Sequence, residues 1–198
     1  MNNPPLLVIS KFLPEYSGAA VRIQKLYESL YSEPVSVICG STEKRNVNKY
    51  NYRNFNVIQF PSQLIGNIFI VSALSQIIFG LLAFLCCFDA VKNARIVHIV
   101  GHNSTTASVL LLAIMFRKKL VYEAVTERAG SYQRFLGIFK VKLPENSTII
   151  AISAEIERNI MRQNYRGLIW CRPNPVDFSA FKKASSDQKT NFRKIYNI

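Results

Sequence analysis

The sequence lacks several patterns that define common functional classes. Its four cysteines, Cys39, Cys86, Cys87 and Cys171, show no CxxC or Cys/His spacing, which argues against a disulfide framework and against a zinc site. A dinucleotide fingerprint needs G-x-G-x-x-G, and only Gly18 is present in the first loop, so an NAD-dependent dehydrogenase is disfavoured. Helix-turn-helix, RRM and KH signatures are missing, as is a basic stripe interleaved with aromatic residues.

Acidic residues are scarce in this chain. It contains 12 Asp and Glu against 25 Lys and Arg, for a formal net charge of +13. Such a surface attracts nucleic acid, anionic lipid or phosphorylated small molecules, and the charge alone does not choose among them. Because no nucleic-acid-binding signature is present, a basic nucleic-acid module is the less favoured alternative. Scattered surface lysines on a membrane-side enzyme explain the charge more simply, and we expect no nucleic-acid partner.

The first residues carry no pattern of an export signal. The segment MNNPPLLVISKFLPEYSG lacks a basic stretch, and its apolar run LLVIS is shorter than a signal peptide needs. Together with the cysteine usage, this predicts a cytoplasmic protein, which could lie peripherally on the inner face of the membrane.

Short apolar runs alternate with helical patterns along the chain. Its 198 residues, 49% hydrophobic and 19% charged, suit one globular domain. Several of the runs are rich in β-branched residues, and most are followed by polar or turn residues, as is typical of buried parallel strands. They predict seven strands, at 6–10, 35–39, 56–60, 95–100, 119–124, 147–153 and 168–171.

Three helices stand out between these strands. The first has apolar residues at i, i+3, i+4 and i+7 from Ile23, with Ser17 as its N-cap. The others are predicted at 104–116 and at 154–165, the latter capped by Ser153. Recurring strand and helix predict an α/β fold with a doubly wound parallel sheet, whose ligands bind at the carboxyl ends of the strands.

The segment from Leu64 to Phe88 contains no charged residue and exceeds the ~20 residues that a membrane-spanning helix needs. A spanning helix here would place the strands before and after it on opposite sides of the bilayer, so that one sheet could not form. We therefore predict a crossover helix, partly buried against the sheet, whose remaining apolar face lies on an anionic membrane surface. A wholly buried core helix is the alternative.

Two loops offer candidate binding residues at strand ends. In FLPEYSGAAVR (12–22), backbone N–H groups at Gly18 and Ala19 can approach a phosphate at the positive end of the first helix. In VHIVGHNSTTAS, His102 and Asn103 follow the fourth strand, whereas His98 lies inside it and is predicted to be a core histidine. The alternatives are an ordinary strand-to-helix turn for the first loop and capping or solvent-exposed roles for the second.

The fifth predicted strand is followed by a third polar loop. YEAVTERAG (122–130) places Glu123, Thr126, Glu127 and Arg128 where they could bind hydroxyls or phosphate. A solvated loop is the alternative.

Five stretches in this order resemble the GT-B glycosyltransferases of family 4. They are the Phe-Pro-Gly loop before the first helix, a strand similar to "DVVHVHG", the strand and loop after it, an "AIS" strand end that caps a helix, and an interdomain "PNPVD" followed by Phe. In this chain they read FLPEYSGAAVR, RIVHIVGH, LVYEAVTERAG, IIAISAEI and RPNPVDFSAF. The chain departs from the family at the glycine pair of the first loop, which is Ser17-Gly18, and at Val125, where some members have histidine.

The resemblance implies a Rossmann-like doubly wound parallel sheet, the N-terminal half of a GT-B fold. Residues 1–178 correspond to the acceptor-side domain, and 179–198 to the hinge and the start of a C-terminal nucleotide-sugar domain that is otherwise missing. The family's Gly-Arg…Lys-Gly and Glu-x7-Glu segments, which hold the donor, are missing with it. The implied reaction transfers a sugar from a nucleotide-sugar to a glycan or lipid-linked acceptor, in cell-surface polysaccharide synthesis.

The resemblance also implies roles for individual residues. Gly18 and Ala19 make backbone contacts near the diphosphate or the acceptor. No catalytic residue is carried over, no metal or cofactor is implied, and the nucleotide-sugar is a co-substrate. The remaining assignments are acceptor-side binding for His102, Asn103, Thr126 and Arg128, and bracing of the hinge for Asn174 and Asp177. A non-catalytic acceptor-binding fragment, or one half of a split enzyme, is the alternative.

Overall fold

The computed structural model describes residues 4–41, 43, 45–62, 69–125, 143–144, 146–162, 165, 167–173 and 185–196. The strands are β1 Leu6–Ile9, β2 Val35–Ser41, β3 Asn48–Tyr52, β4 Phe55–Pro61, β5 Ile96–Val100, β6 Lys119–Ala124, β7 Thr148–Ala151 and β8 Leu168–Cys171. The helices are α1 Gly18–Leu30, α2 Phe69–Cys86, α3 Phe88–Asn93, α4 Ser104–Met115, α5 Ala154–Met161 and α6 Ser186–Tyr196.

All eight strands form one sheet, in the order β3-β4-β2-β1-β5-β6-β7-β8. Every neighbouring pair is parallel except β3 and β4, which pair antiparallel. The chain leaves β1 in one direction through β2 and β4, and then crosses to β5 on the other side of β1. The prediction of an α/β fold with a largely parallel sheet is therefore confirmed, and the switch point of the sheet lies between β1 and β5.

Strand β3 is absent from the sequence prediction. Its residues, NKYNY, are mostly polar and exposed, so they form no apolar run. The strand exists because it forms a hairpin with β4, in which Arg53 adopts a positive φ of 51° at the turn. A strand in an antiparallel hairpin is determined by its turn and by its partner strand, so it can form without an apolar run.

Helices cover both faces of the sheet, as the doubly wound prediction requires. On one face, Leu7 and Ile9 of β1 pack against α1 through Ala20, Ile23 and Tyr27. On the other face, the alternate residues of β1 belong to a core shared with α2, α3, α4 and α5. This alternation follows from the period of two in a strand, and it explains why β1 is apolar throughout.

Within the uncharged segment, residues Phe69–Cys86 form a partly buried crossover helix. Within α2, Gly80 and Ala83 are buried, whereas Leu81 and Leu85 are 59% and 72% exposed. The prediction of a partly buried helix is confirmed, and the alternative of a wholly buried one is wrong. The helix ends at Cys86, and α3 begins at Phe88. Among the helices that the structure describes, none is both long enough and apolar enough to cross a membrane.

Helix α5 is shorter than predicted. Its N-cap is confirmed, since the Ile156 backbone N–H donates to the Ser153 Oγ at 3.2 Å. The helix ends at Met161, and its buried residues are Ile156 and Ile160. Tyr165 lies beyond it, and its hydroxyl donates to the carbonyl oxygen of Ser147, just before β7, at 2.8 Å.

Candidate functional site

The carboxyl ends of β1 and β5 form the switch-point edge of the sheet. The Ser10 backbone N–H donates to the Val100 carbonyl oxygen at 3.0 Å, so the two strands stay paired to their last residues. The loop after β1 leads to α1, and the loop after β5 leads to α4. Parallel strands bring these two loops to the same edge, and open α/β sheets bind their ligands there. Gly18 and His102 therefore lie at one edge, as predicted.

Asn103 is built into this edge as an anchor. Its side chain accepts a hydrogen bond from the Thr106 backbone N–H at 2.9 Å and donates another to the Ser10 carbonyl oxygen at 2.8 Å. The Thr106 hydroxyl accepts from the Asn103 backbone N–H at 2.9 Å, which completes a capping box. Asn103 thus caps α4 and ties it to the end of β1, which agrees with the capping alternative for this residue.

Two glycines allow this close packing. A Cβ atom at Gly40 would overlap the Asn103 side-chain amide and lie 3.0 Å from the Ser10 carbonyl oxygen. Gly101 has a φ of +79°, and a Cβ there would lie 2.6 Å from the Ser10 hydroxyl oxygen. A residue with a side chain is strained at both positions, and the turn at Gly101 leaves the next residue, His102, exposed at the edge.

The amino end of α1 lies open beside this edge. Ser17 occupies the N-cap position, as predicted, but its side chain accepts no capping hydrogen bond, and the first turn contains no acidic residue. A Cβ built at Gly18 has no atom within 4 Å. The positive end of the helix is therefore not neutralised by Ser17 or by an acid in its own first turn, which is the arrangement that suits an incoming anion.

The carboxylate of Glu15 holds the loop that precedes α1 in place. Glu15 accepts hydrogen bonds from the Ser41 hydroxyl and from Gln59 Nε2, the latter at 3.2 Å. Lys11 Nζ lies 3.9 Å from its other oxygen. These contacts attach the loop to β2 and β4. Burial, together with Glu15, raises the pKa of the neighbouring Cys39 thiol to about 12, so this cysteine is a neutral core residue.

A buried charge cluster, formed by Arg22, Glu123, Arg172 and His98, lies between α1 and the sheet, close to the switch-point edge. Glu123 on β6 is completely buried, and its Oε1 lies 2.6 Å from Arg22 Nη2 and 3.4 Å from Arg172 Nη2. His98 Nδ1 is hydrogen-bonded to the Tyr27 hydroxyl at 2.8 Å. The cluster therefore joins α1, β5, β6 and the end of β8. The sequence predicts a ligand-binding or solvated role for Glu123, but in the structure this residue belongs to the internal cluster.

The charges in the cluster follow from its burial. Burial, with the nearby Arg172 and Arg22, lowers the pKa of His98 to about 3, so its imidazole is neutral at physiological pH. His98 is only 6% exposed, and its assignment as a core histidine is confirmed. Burial, then Tyr31 and the negative Glu123, raises the pKa of Tyr27, which stays protonated. Two guanidinium groups and one carboxylate leave one net positive charge behind the edge.

Sequence reasoning missed Arg22 and Arg172 as members of this cluster. The only signal for Arg22 was a basic residue one position before the first buried isoleucine of α1, and Arg172 directly precedes PNP. No sequence pattern at either position indicates that the side chain contacts Glu123 on β6. The predicted site residues Thr126 and Arg128, and the hinge residues Asn174 and Asp177, lie outside the described residues. Within the described ranges, no group of three or more His, Cys, Asp or Glu side chains is arranged to hold a metal ion.

Comparisons with known proteins identify the fold. The chain matches no protein-family profile and no curated protein sequence. It is similar to the solved structure of trehalose-6-phosphate from E. coli bound with UDP-2-fluoro glucose, with a TM-score of 0.50 and 10% sequence identity. The match covers 98% of this chain and 55% of that chain, so this chain spans about half of the other's length. The FeoB G-domain from Methanococcus jannaschii matches with 15% identity over 80% of this chain and 94% of that one. Its TM-score of 0.24 is too low to indicate a shared fold. The eight-stranded, mostly parallel sheet flanked by helices is a Rossmann-like fold of the GT-B type.

Proposed function

We propose that this chain is the acceptor-side domain of a GT-B glycosyltransferase of family 4 type. It takes part in transfer of a sugar from a nucleotide-sugar to a glycan or lipid-linked acceptor, in the synthesis of cell-surface polysaccharide. The observation that carries the proposal is the switch-point edge of a GT-B-type sheet. There the uncapped helix end at Gly18 follows β1, and the exposed His102 follows the neighbouring strand β5.

The fold similarity supports a nucleotide-sugar as co-substrate. The solved structure to which this chain is similar is bound with UDP-2-fluoro glucose, a nucleotide-sugar analogue. This chain covers 55% of that structure. We propose that most donor contacts are made by a second, C-terminal domain and that the cleft closes between the two, with residues 179–198 as the connection. No metal or cofactor is required in this proposal.

The geometry of the edge supports different roles for the predicted residues. Gly18 and Ala19 offer the first-turn N–H groups of α1 to the diphosphate, whose charge the helix dipole stabilises. His102 lines the acceptor side, where it is exposed. Asn103 acts indirectly, because its side chain is occupied by Thr106 and Ser10 and so fixes the loop that carries His102. Thr126 and Arg128, on the acceptor side, and Asn174 and Asp177, at the hinge, complete the proposal.

Sugar transfer in such a site depends mainly on position and electrostatics. The acceptor hydroxyl must lie beside the anomeric carbon while negative charge develops on the leaving diphosphate. The α1 dipole acts directly on that charge. The net positive charge of Arg22, Arg172 and Glu123 acts on it from the interior, while the ion pair between Arg22 and Glu123 holds α1 against β6. We propose that the cluster positions α1 and that its members do not touch substrate.

The proposal is tested by supplying the donor half. The purified chain, alone and fused after Ile198 to a C-terminal domain of family 4, is incubated with a panel of nucleotide-sugars and lipid-linked acceptors, and release of nucleoside diphosphate is followed. We expect acceptor-dependent release by the fusion and none by the chain alone, since positioning contributes about 7–11 kcal/mol to such reactions. Release by the unfused chain would show that the donor site has been misplaced.

The alternative is a non-catalytic acceptor-binding protein or one half of a split enzyme. It is favoured by the fact that this chain spans 55% of the neighbour's length. A fusion that binds lipid-linked acceptor but transfers no sugar from any donor supports this alternative. A fusion that binds neither acceptor nor nucleotide-sugar contradicts both.

A further inference from the structure

Helix α2 exposes a continuous apolar face, which we call the α2 stripe. Its members recur at i, i+3, i+4, i+7 and i+11, so they lie on one side of the helix. Each of these side chains is between 52% and 72% exposed. The stripe consists of Leu74, Ile77, Ile78, Leu81 and Leu85.

The opposite side of α2 already has its partner within the domain. Gly80 lies against α4, where a Cβ would be 3.2 Å from the Ser108 hydroxyl oxygen. That hydroxyl donates to the Gly80 carbonyl oxygen at 2.7 Å. Ala83 and Cys87 on the same side are buried in the core. The α2 stripe therefore lies on the side of the helix that is turned away from the core.

A group of basic residues lies at the end of the stripe, which we call the basic corner. Its residues lie in the last turn of α3 or follow the ends of α3 and α4. The first residue of α3, Phe88, packs edge-to-face on Phe116 just after α4, with ring centroids 4.9 Å apart. The Lys118 Nζ donates to the Lys92 carbonyl oxygen, which joins the two connections directly. The basic corner consists of Lys92, Arg95, Arg117, Lys118 and Lys119.

The charged residues near the stripe are predominantly basic. Between positions 64 and 122 the chain has these five basic residues and a single acidic one, Asp89. Phe88 and Met115, 38% and 61% exposed, continue the apolar surface from the stripe into the basic corner. An extended apolar strip that ends in a patch of positive charge matches the two parts of an anionic bilayer surface, its acyl boundary and its headgroups.

We propose that the α2 stripe and the basic corner form a docking surface for an anionic lipid membrane, with α2 lying in the plane of the interface. A second copy of this chain fits the surface less well, because the basic corner would need an acidic partner surface and the chain has 12 acidic residues against 25 basic ones. The proposal depends on exposure, packing and charge in α2 to α4, and it stands independently of the proposed transfer reaction.

This orientation has a consequence for the site. Gly80 contacts the first turns of α4 at Ser104 and Ser108, and Phe88 contacts Phe116 just after its last turn, so the two helices run in the same direction. Both begin at the carboxyl side of the sheet and end at its amino side. The basic corner is therefore at the end remote from Gly18 and His102, and the switch-point edge stays open while the domain is docked.

Retention on vesicles tests the docking surface directly. The full chain is mixed with vesicles of phosphatidylcholine alone, or of phosphatidylcholine and phosphatidylglycerol in equal amounts, and the bound fraction is measured by sedimentation. We expect stronger retention on the anionic vesicles, with the difference shrinking as salt is raised. The assay contains no nucleotide-sugar and no acceptor, so its outcome is separate from that of the transfer assay. Equal retention on both compositions overturns the proposal.

Matched variants separate the apolar part from general stickiness. Leu81→Gln removes one stripe residue, and the control Leu30→Gln removes a leucine that is 62% exposed at the end of α1, on the other face of the sheet. We expect Leu81→Gln to weaken binding to anionic vesicles by about tenfold, as loss of a buried leucine does, and Leu30→Gln to leave it unchanged. Equal weakening by the two variants contradicts the proposal.

Charge variants are matched in the same way. Arg117→Asn removes a charge from the basic corner, and Arg53→Asn removes one from the β3–β4 turn. Both arginines are exposed and have positive φ values, 49° and 51°, which asparagine tolerates. We expect Arg117→Asn to weaken binding about fivefold and Arg53→Asn to have no effect. A different outcome would be that the chain binds neither vesicle type and forms a dimer, which Leu81→Gln dissociates. In that case the stripe is an interface between two copies of the chain, and the membrane proposal is wrong.

Discussion

The Nη2 atom of Arg22 lies 2.6 Å from the Oε1 atom of Glu123, and the Glu123 side chain is completely buried. This pair joins the first helix to β6. Arg172, which follows the last strand of the sheet, approaches the same oxygen at 3.4 Å. One carboxylate therefore fixes both α1, whose amino end lies at the switch-point edge, and the segment that leads towards residues 174–184.

Removing the Glu123 charge is expected to destabilise the domain strongly. Glu123→Gln leaves two largely buried guanidinium groups without their anion, and breaking a buried pair in this way costs about 3–5 kcal/mol. The free energy of unfolding, measured by urea denaturation, reports the loss. Glu28→Gln is the control, because it removes a carboxylate 3.3 Å from the exposed Arg53, where pairs contribute about 1 kcal/mol or less. Similar losses in the two variants contradict the assignment of a buried charge cluster.

His98 is expected to make stability depend on pH. Its pKa is lowered to about 3 in the folded protein, from 6.5 in an unfolded chain. Between these values the unfolded chain binds a proton that the folded chain does not, so the free energy of unfolding falls as the pH is lowered, by about 1.4 kcal/mol per pH unit. Above pH 6.5 this group contributes no pH dependence.

The comparison between wild type and His98→Gln isolates this contribution from that of the carboxylates. Urea unfolding at several pH values below neutrality is measured for both proteins. The variant is expected to lose the slope that corresponds to about one proton. Equal slopes in the two proteins show that His98 binds its proton equally well in the folded state.

The packing of Gly40 against Asn103 predicts an asymmetric pair of alanine substitutions. Gly40→Ala places a Cβ on the Asn103 amide and is expected to cost about 1–3 kcal/mol, since the cap of α4 or the end of β1 must move. Gly18→Ala meets no atom within 4 Å in a helical position and is expected to stabilise by about 0.5–1 kcal/mol. Thermal or urea unfolding measures both changes.

A second substitution checks the cause of the Gly40→Ala loss. Asn103→Ser retains an oxygen that can cap α4 but removes the amide that the new Cβ would meet. The double variant Gly40→Ala/Asn103→Ser is therefore expected to be more stable than the sum of the two single losses predicts. Additive losses indicate that the contact with the Ser10 carbonyl oxygen, not Asn103, is limiting.

The open amino end of α1 provides a test of the proposed diphosphate contact. Gly18→Glu puts a negative charge where an anion is proposed to bind, while Gly18→Gln has nearly the same shape without the charge. The glutamate favours the helix itself, so folding stability is expected to be equal or slightly higher. In the two-domain fusion, nucleotide-sugar affinity is expected to fall at least about tenfold more for Gly18→Glu than for Gly18→Gln. Equal affinities place the diphosphate away from α1.

The main sheet and the edge at which its loops meet could be predicted from the pattern of apolar residues. Short apolar runs predicted every parallel strand, because a strand buried on both faces must be apolar along its whole length. Parallel pairing brings the carboxyl ends of the strands together, so the sequence alone predicts that Gly18 and His102 lie at one edge. The polar strand β3 had no such signal, since it depends on a turn at Arg53 and on its partner β4.

The pairing of polar residues, in contrast, could not be predicted from the sequence. Glu123, Arg22 and Arg172 lie far apart in the sequence, and each alone is as well suited to solvent or to a ligand as to an internal cluster. In the same way, the uncharged run at 64–88 fixed an apolar helix, but not which of its sides would be covered by α4. Hydrophobic burial is set by composition and period along the chain, whereas a charge pair depends on the distance between elements, which exists only after they have packed.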